Sequence, residues 1–292
     1  MTNTSEADFL HHTVDLPWMT IWASINGILL FLASLFNGWN LLSLLFFTRS
    51  GGCTTGHVLL GVLFINDFFS SAIFYPGVTT NIVYGNTGLW HERWFCQLMS
   101  FGGTLTALCS SFSISQIAIF RVFMTVKRRC PPYKIEAQKK RIAAILVIST
   151  YILGFIVPSL SYIPAGNREI DPPYGFCGSE PYRQTRVIQV VKLTSWVFIP
   201  TIITASCYWF VYGVAREMRQ DKQPRSVVSL RRLMIRIRWM VVLKTIAHYP
   251  VALFYLVRHD ESPHPTANLI VITVHFCSAL FDAVSFSCVT FV

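Results

Sequence analysis

Seven ionisable residues stand inside long apolar stretches of the chain: Asp67, Arg121, Lys192, Lys244, His248, His275 and Asp282. Charge in such surroundings is costly, so these positions mark function or a buried partner. Their types bound the chemistry. A metalloprotease presents H-E-x-x-H and a serine hydrolase G-x-S-x-G, and neither string occurs. No set of His and Asp clusters on one helix either. Two carboxylates, a cation near the end of its run, and scattered imidazoles and amines suit binding and relay rather than bond cleavage. The chain is expected not to be an enzyme.

The elements that carry these residues follow from composition. Of 292 residues, 53% are hydrophobic and 13% charged, against the ~25% charged that is usual in soluble domains. Apolar runs long enough to cross a bilayer, which takes about 20 helical residues, cover roughly 18–47, 58–84, 98–126, 142–163, 187–214, 233–257 and 268–292. Backbone amides in hydrocarbon must be satisfied within the segment, so runs of this length are helices; barrel strands are about half as long and alternate in polarity. The predicted fold is an all-α membrane protein, a seven-transmembrane helix bundle over 18–292, preceded by a short segment 1–17. No gap between spans is long enough for a separate soluble domain.

Orientation follows from the cations. With residue 1 outside, the inner loops hold sixteen, among them Arg49, Lys127, Arg128, Lys139, Arg216, Arg231, Arg232, Arg236 and Arg238, against the three acids Glu136, Glu217 and Asp221. The outer side holds five cations against nine acids. The net charge of +10 is thus a topology signal and calls for no nucleic acid. A generic solvated basic face, or attraction to anionic lipid, accounts for part of it.

Residues 1–17 contain no Lys or Arg and so lack the basic region of a cleavable signal peptide, which leaves the first span to act as signal anchor. Asn3 in "NTS" is a glycosylation acceptor sequon on the expected outer side. Six of the eight cysteines sit in or beside spans and read as small apolar residues, with Cys130 also a palmitoylation candidate. Cys96 opens the third span and Cys177 lies in the polar loop after the fourth. Both fall on the oxidising side, where a disulfide between them is predicted.

Seven spans, an outside N-terminus and this cysteine pair resemble the rhodopsin-like (class A) G-protein-coupled receptors. The motifs carrying the likeness run in order through nearly the whole chain. Arg121 lies twenty-five residues after Cys96, as the family's arginine at the cytoplasmic end of helix 3 does. "LFIND", ending in Asp67, resembles the helix 2 L-A-x-A-D, with Pro76 following. "PTIITASCY" gives the helix 5 proline and tyrosine as Pro200 and Tyr208; Pro250 matches helix 6; "DAVSF" stands for N/D-P-x-x-Y in helix 7. Several positions depart from the pattern. The D/E-R-Y triplet reads Phe120, Arg121, Val122. "AHYP" replaces C-W-x-P and puts His248 at the toggle tryptophan, and Ala283 and Phe286 replace the helix 7 proline and tyrosine. Local strings, "CQL", "IAIFR" and "DPPYGFC", are similar to melatonin-type receptors, although the helix 5 histidine of that branch falls on Trp196.

The resemblance implies roles. Arg121 would snorkel into the cytoplasmic crevice and meet a heterotrimeric G protein, with Tyr208, Arg231 and Arg232 on the same coupling face. Without the neighbouring acid, the resting population of the active state is expected to rise. Asp67, Ser110, Ser278 and Asp282 would form an allosteric Na⁺ site, the one cofactor implied; a protonated contact between helices is the alternative. The ligand, small molecule or peptide, would enter the outer half near Gly103, Thr104, Ala107, Lys192, Trp196, His248, Tyr255 and His275. Gly103 stands where amine receptors carry an aspartate. Helix 7 contains no lysine, which excludes a retinal Schiff base. Lys192 favours an acidic or hydrogen-bond-accepting ligand or snorkels outward; His248 either reports pH or packs; Lys244 is placed to reach Asp67 or Asp282.

The expected location is the plasma membrane, multi-pass, with the lipid bilayer as a partner. Two rival readings remain open, a membrane transporter and a receptor-shaped protein that does not signal. The absence of an internal repeat weighs against the first. The second gains from the end of the chain, six residues after Phe286, with no eighth helix or tail, unless the chain is a fragment.

Overall fold

The computed structural model describes residues 16–47, 55–84, 93–126, 132–162, 190–191, 193–220, 242–243, 245–250, 253 and 265–290. Asn3, Cys177, Lys192, Arg231, Arg232, Lys244 and Tyr255 lie outside the described residues, as does the side chain of Cys96, whose backbone belongs to the third helix.

The architecture is a bundle of seven helices, with no strand among the described residues. Helix α1 spans Leu16–Phe47. Helix α2 runs Thr55–Phe69, widens into a π turn at Ser70–Phe74 and finishes as Tyr75–Tyr84. Helix α3 is Arg93–Val126 and α4 Pro132–Tyr162. Helix α5 passes through a second π turn, Thr194–Phe198, into Ile199–Gln220. Residues 242–243, 245–250 and 253 are helical and belong to α6; α7 is Pro265–Thr290. Among the described residues, α1 to α5 are long and apolar enough to cross a membrane, and α7 carries a shorter apolar stretch, Leu269–Ser285.

The two π turns have a common cause. A proline offers no N–H to the carbonyl four residues earlier, and its ring presses on that carbonyl. For Pro76 that residue is Ala72 and for Pro200 it is Trp196, and both lie inside the wide turns. The extra residue per turn relieves the clash and rotates the side chains beyond it. Ser115 of α3 donates to the Pro200 carbonyl at 3.0 Å, and Thr204 donates to the same oxygen at 2.7 Å.

Helix α3 is the axis of the bundle, in contact with α2, α4 and α5, while α1 closes the side formed by α2 and α7. Every residue from Thr106 to Ala118 is buried. Small residues let the neighbours approach. A side chain on Gly102 would run into the Phe74 ring of α2, and one on Gly154 of α4 would run into Cys109 Sγ of α3. Such close approach by small residues is how helices pack where lipid removes the hydrophobic drive. Outward faces are apolar instead: Trp18, Phe31 and Trp39 on α1 and Ile202 and Trp209 on α5 are exposed, which fits hydrocarbon around the bundle.

Polar seams join the helices. Trp22 Nε1 and Asn26 Nδ2 of α1 both donate to Thr273 Oγ1 of α7, at 3.0 and 3.2 Å. Further along, Asn37 Nδ2 donates to the Ala279 carbonyl at 3.1 Å and Asn40 Nδ2 to that of Ala283 at 3.0 Å. Between α3 and α4, Gln116 donates to Ser149 Oγ at 3.0 Å and accepts from Thr150 Oγ1. In a medium without water these bonds fix which helix faces meet.

Candidate functional site

At the level of the α5 π turn, four helices bring aromatic rings together. Trp196, inside the wide turn, meets His275 of α7 edge to face with ring centres 4.8 Å apart, and meets His248 of α6 at 5.6 Å. His248 and His275 are themselves 5.4 Å apart. Below them Tyr75 of α2 joins its hydroxyl to His275 Nε2 at 3.1 Å and stacks on Phe276 at 4.5 Å. Trp196 Nε1 is buried and has no acceptor among the described residues.

Three of the residues expected to line a ligand site, Trp196, His248 and His275, are thus assembled. Gly103 of α3 faces Phe74 and Tyr75 of α2, where a Cβ would stand 3.6 and 3.8 Å from them. Ala107 is buried one turn along, and Thr104 is half-buried. Tyr75 and Phe276 were absent from the sequence reading. The available signal was their type: large aromatics directly beside Pro76 and His275.

Two turns along α7 from His275, the polar centre of the bundle begins. Asp67 of α2 is 2% exposed and Asp282 of α7 is 1% exposed. Ser110 of α3 donates to Asp282 Oδ2 at 3.4 Å, and Ser278 is buried one turn before Asp282. Asn66, beside Asp67, is buried as well.

At the far end of α3, neighbouring residues part. The Phe120 ring is buried with Leu59, Leu60, Leu63 and Phe64 of α2, Ile117 of α3 and Ala143 of α4. Arg121 is half-buried, and its guanidinium lies within electrostatic reach of buried Tyr208 of α5.

A bundle of this kind matches the family model for the seven-transmembrane receptors of the rhodopsin family over residues 37–289. The chain belongs to that family. Among curated proteins the receptor is similar to Melanopsin-A of Danio rerio, 23% identical over 306 aligned positions that take in 96% of this chain and 48% of that protein. It is also similar to a Melanopsin-like protein of Danio rerio, 25% identical over 56% of this chain and 32% of the relative, and to Melanopsin of Rutilus rutilus, 25% identical over 58% and 33%. The receptor spans about half the length, or less, of the curated relatives it matches. None of these matches is a melatonin-type receptor, so the local strings noted above gain no support from them.

Membership makes this a membrane receptor of a family without catalytic chemistry. It also gives the three assemblies an order along one axis: ring cluster, buried carboxylates, then the Arg121 end.

Proposed function

We propose that the chain is a plasma-membrane receptor, its N-terminus outside, that binds a small molecule or peptide at the Trp196, His248 and His275 cluster and passes the change to a heterotrimeric G protein at Arg121. The observation that carries this reading is the parting of Phe120 and Arg121. The family's acid is replaced by a ring that packs into the core, so the arginine keeps its place at the helix end without the adjacent carboxylate that would hold it at rest. An active state a few kcal/mol above the resting one is then more populated before any ligand binds.

The buried Trp196 N–H supports a ligand that brings a hydrogen-bond acceptor, and Lys192, outside the described residues, would favour an acidic one. Covalent capture of retinal by a Schiff base has no amine in α7, which contains no lysine. The donor set of Asp67, Ser110, Ser278 and Asp282, all oxygen and all buried, fits an allosteric Na⁺, a hard cation that takes oxygen ligands. Bound there, Na⁺ would offset the repulsion between the two carboxylates.

The test is ligand-free signalling in cells, normalised to receptor at the surface, with an N-terminal tag read on intact cells. Signal above the untransfected level that falls with Arg121→Ala, from a receptor whose tag is reached from outside, supports the reading. A tag reached only after permeabilisation, or signal indifferent to Arg121, overturns it.

A further inference from the structure

We propose that His248 of α6 and His275 of α7 form a two-imidazole site for a borderline divalent metal ion such as Zn²⁺, bridging the two helices. With metal–nitrogen bonds of about 2.0–2.1 Å and a tetrahedral angle, two imidazole ring centres sharing one zinc ion lie roughly 5 to 5.5 Å apart. His248 and His275 have their centres 5.4 Å apart with planes at 57°, so the rings stand at the required spacing without stacking flat on each other. Imidazole is a favoured ligand for zinc, copper and nickel.

Tyr75 supplies the outer support such a site needs. Its hydroxyl meets His275 Nε2 at 3.1 Å; as acceptor it holds the proton on Nε2 and leaves the lone pair on Nδ1 for a metal. Trp196 walls the pair on the α5 side, 4.8 Å from one ring and 5.6 Å from the other. No group of three or more His, Cys, Asp or Glu gathers among the described residues, so the two imidazole nitrogens are the protein ligands proposed. The carboxylates do not belong to it: Asp282 lies seven residues beyond His275 along α7, about 10 Å at helical rise. A site of two ligands from two helices holds their spacing when filled, and so acts on the receptor from the ligand cluster itself. The inference rests on ring geometry and stands whether or not the chain couples to a G protein.

The experiment is titration of chelator-stripped, detergent-purified receptor with Zn²⁺ alone against a chromophoric indicator. The unsubstituted chain is expected to bind one equivalent that His248→Gln and His275→Gln each weaken at least tenfold. Tyr75→Phe, which keeps both imidazoles, is expected to weaken it by a similar factor, in line with the loss of an outer-shell partner. Equal affinity and stoichiometry in the His248→Gln and His275→Gln proteins overturns the proposal. Should those variants not fold, the unsubstituted chain still decides: copper and ascorbate oxidise the histidines that hold the ion. Oxidation at 248 and 275 supports the site, and oxidation confined to the other six histidines overturns it.

Discussion

Phe120 and Arg121, adjacent on α3, belong to different environments: the ring is buried in the apolar cluster with Leu60 and Ala143, and the arginine is half-buried, within electrostatic reach of Tyr208. The position that the family gives to an acid is, in this receptor, a packing position. Restoring the acid therefore tests the fold before it tests signalling. Phe120→Asp is expected to cost at least about 3 kcal/mol, the loss of a buried ring plus a carboxylate without water. Phe120→Leu, close in volume and apolar, is expected to cost less than about 1.5 kcal/mol. Thermal unfolding of the two purified variants checks this. Equal midpoints would place the residue 120 side chain outside the core.

The seam between α1 and α7 turns on one hydroxyl. Thr273 Oγ1 accepts from both Trp22 and Asn26, while Trp22 Nε1 has a second acceptor in the Leu269 carbonyl at 3.2 Å. Hydrogen bonds between membrane helices average about 0.6 kcal/mol. Thr273→Val is expected to destabilise by roughly 1 kcal/mol, and a cycle with Asn26→Leu to give a coupling near 0.6 kcal/mol. Additive effects of the two substitutions would remove the bond from the account.

The sodium site proposed at the buried carboxylates has a thermodynamic test. An ion that binds only the folded receptor stabilises it by about 1.4 kcal/mol at ten times its dissociation constant. The unfolding midpoint is expected to rise in NaCl relative to choline chloride at the same ionic strength, and the rise to vanish in Asp282→Asn. Identical midpoints in the two salts would leave Asp67 and Asp282 as a polar contact between helices.

The bundle was legible in the sequence because hydrocarbon leaves the backbone no alternative to helix, and length and composition report that directly. Asp67, Asp282, Arg121 and Tyr208 stand out in the sequence because ionisable or polar groups in apolar runs are few and their spacing is distinctive. Relations that depend on rotation about a helix axis were hidden. Gly103, expected at the ligand site, faces Tyr75, whose hydroxyl meets His275; sequence spacing does not show that approach, because it does not say where a π turn shifts the facing helix. Type alone does not set Tyr75 and Phe276 apart from ordinary apolar filling; the contact of Tyr75 with His275 does. The fate of Phe120 could be read only from the residues of α2 and α4 that surround it.

Ligand-free nucleotide exchange on a purified heterotrimeric G protein, driven by reconstituted receptor and by its Arg121→Ala variant, tests the central claim most directly. Coupling free energies of this kind run about 1–3 kcal/mol, so the substitution is expected to lower the exchange rate on the order of tenfold while the unfolding midpoint stays unchanged. Exchange at the same rate with parent, variant and empty vesicles would contradict it.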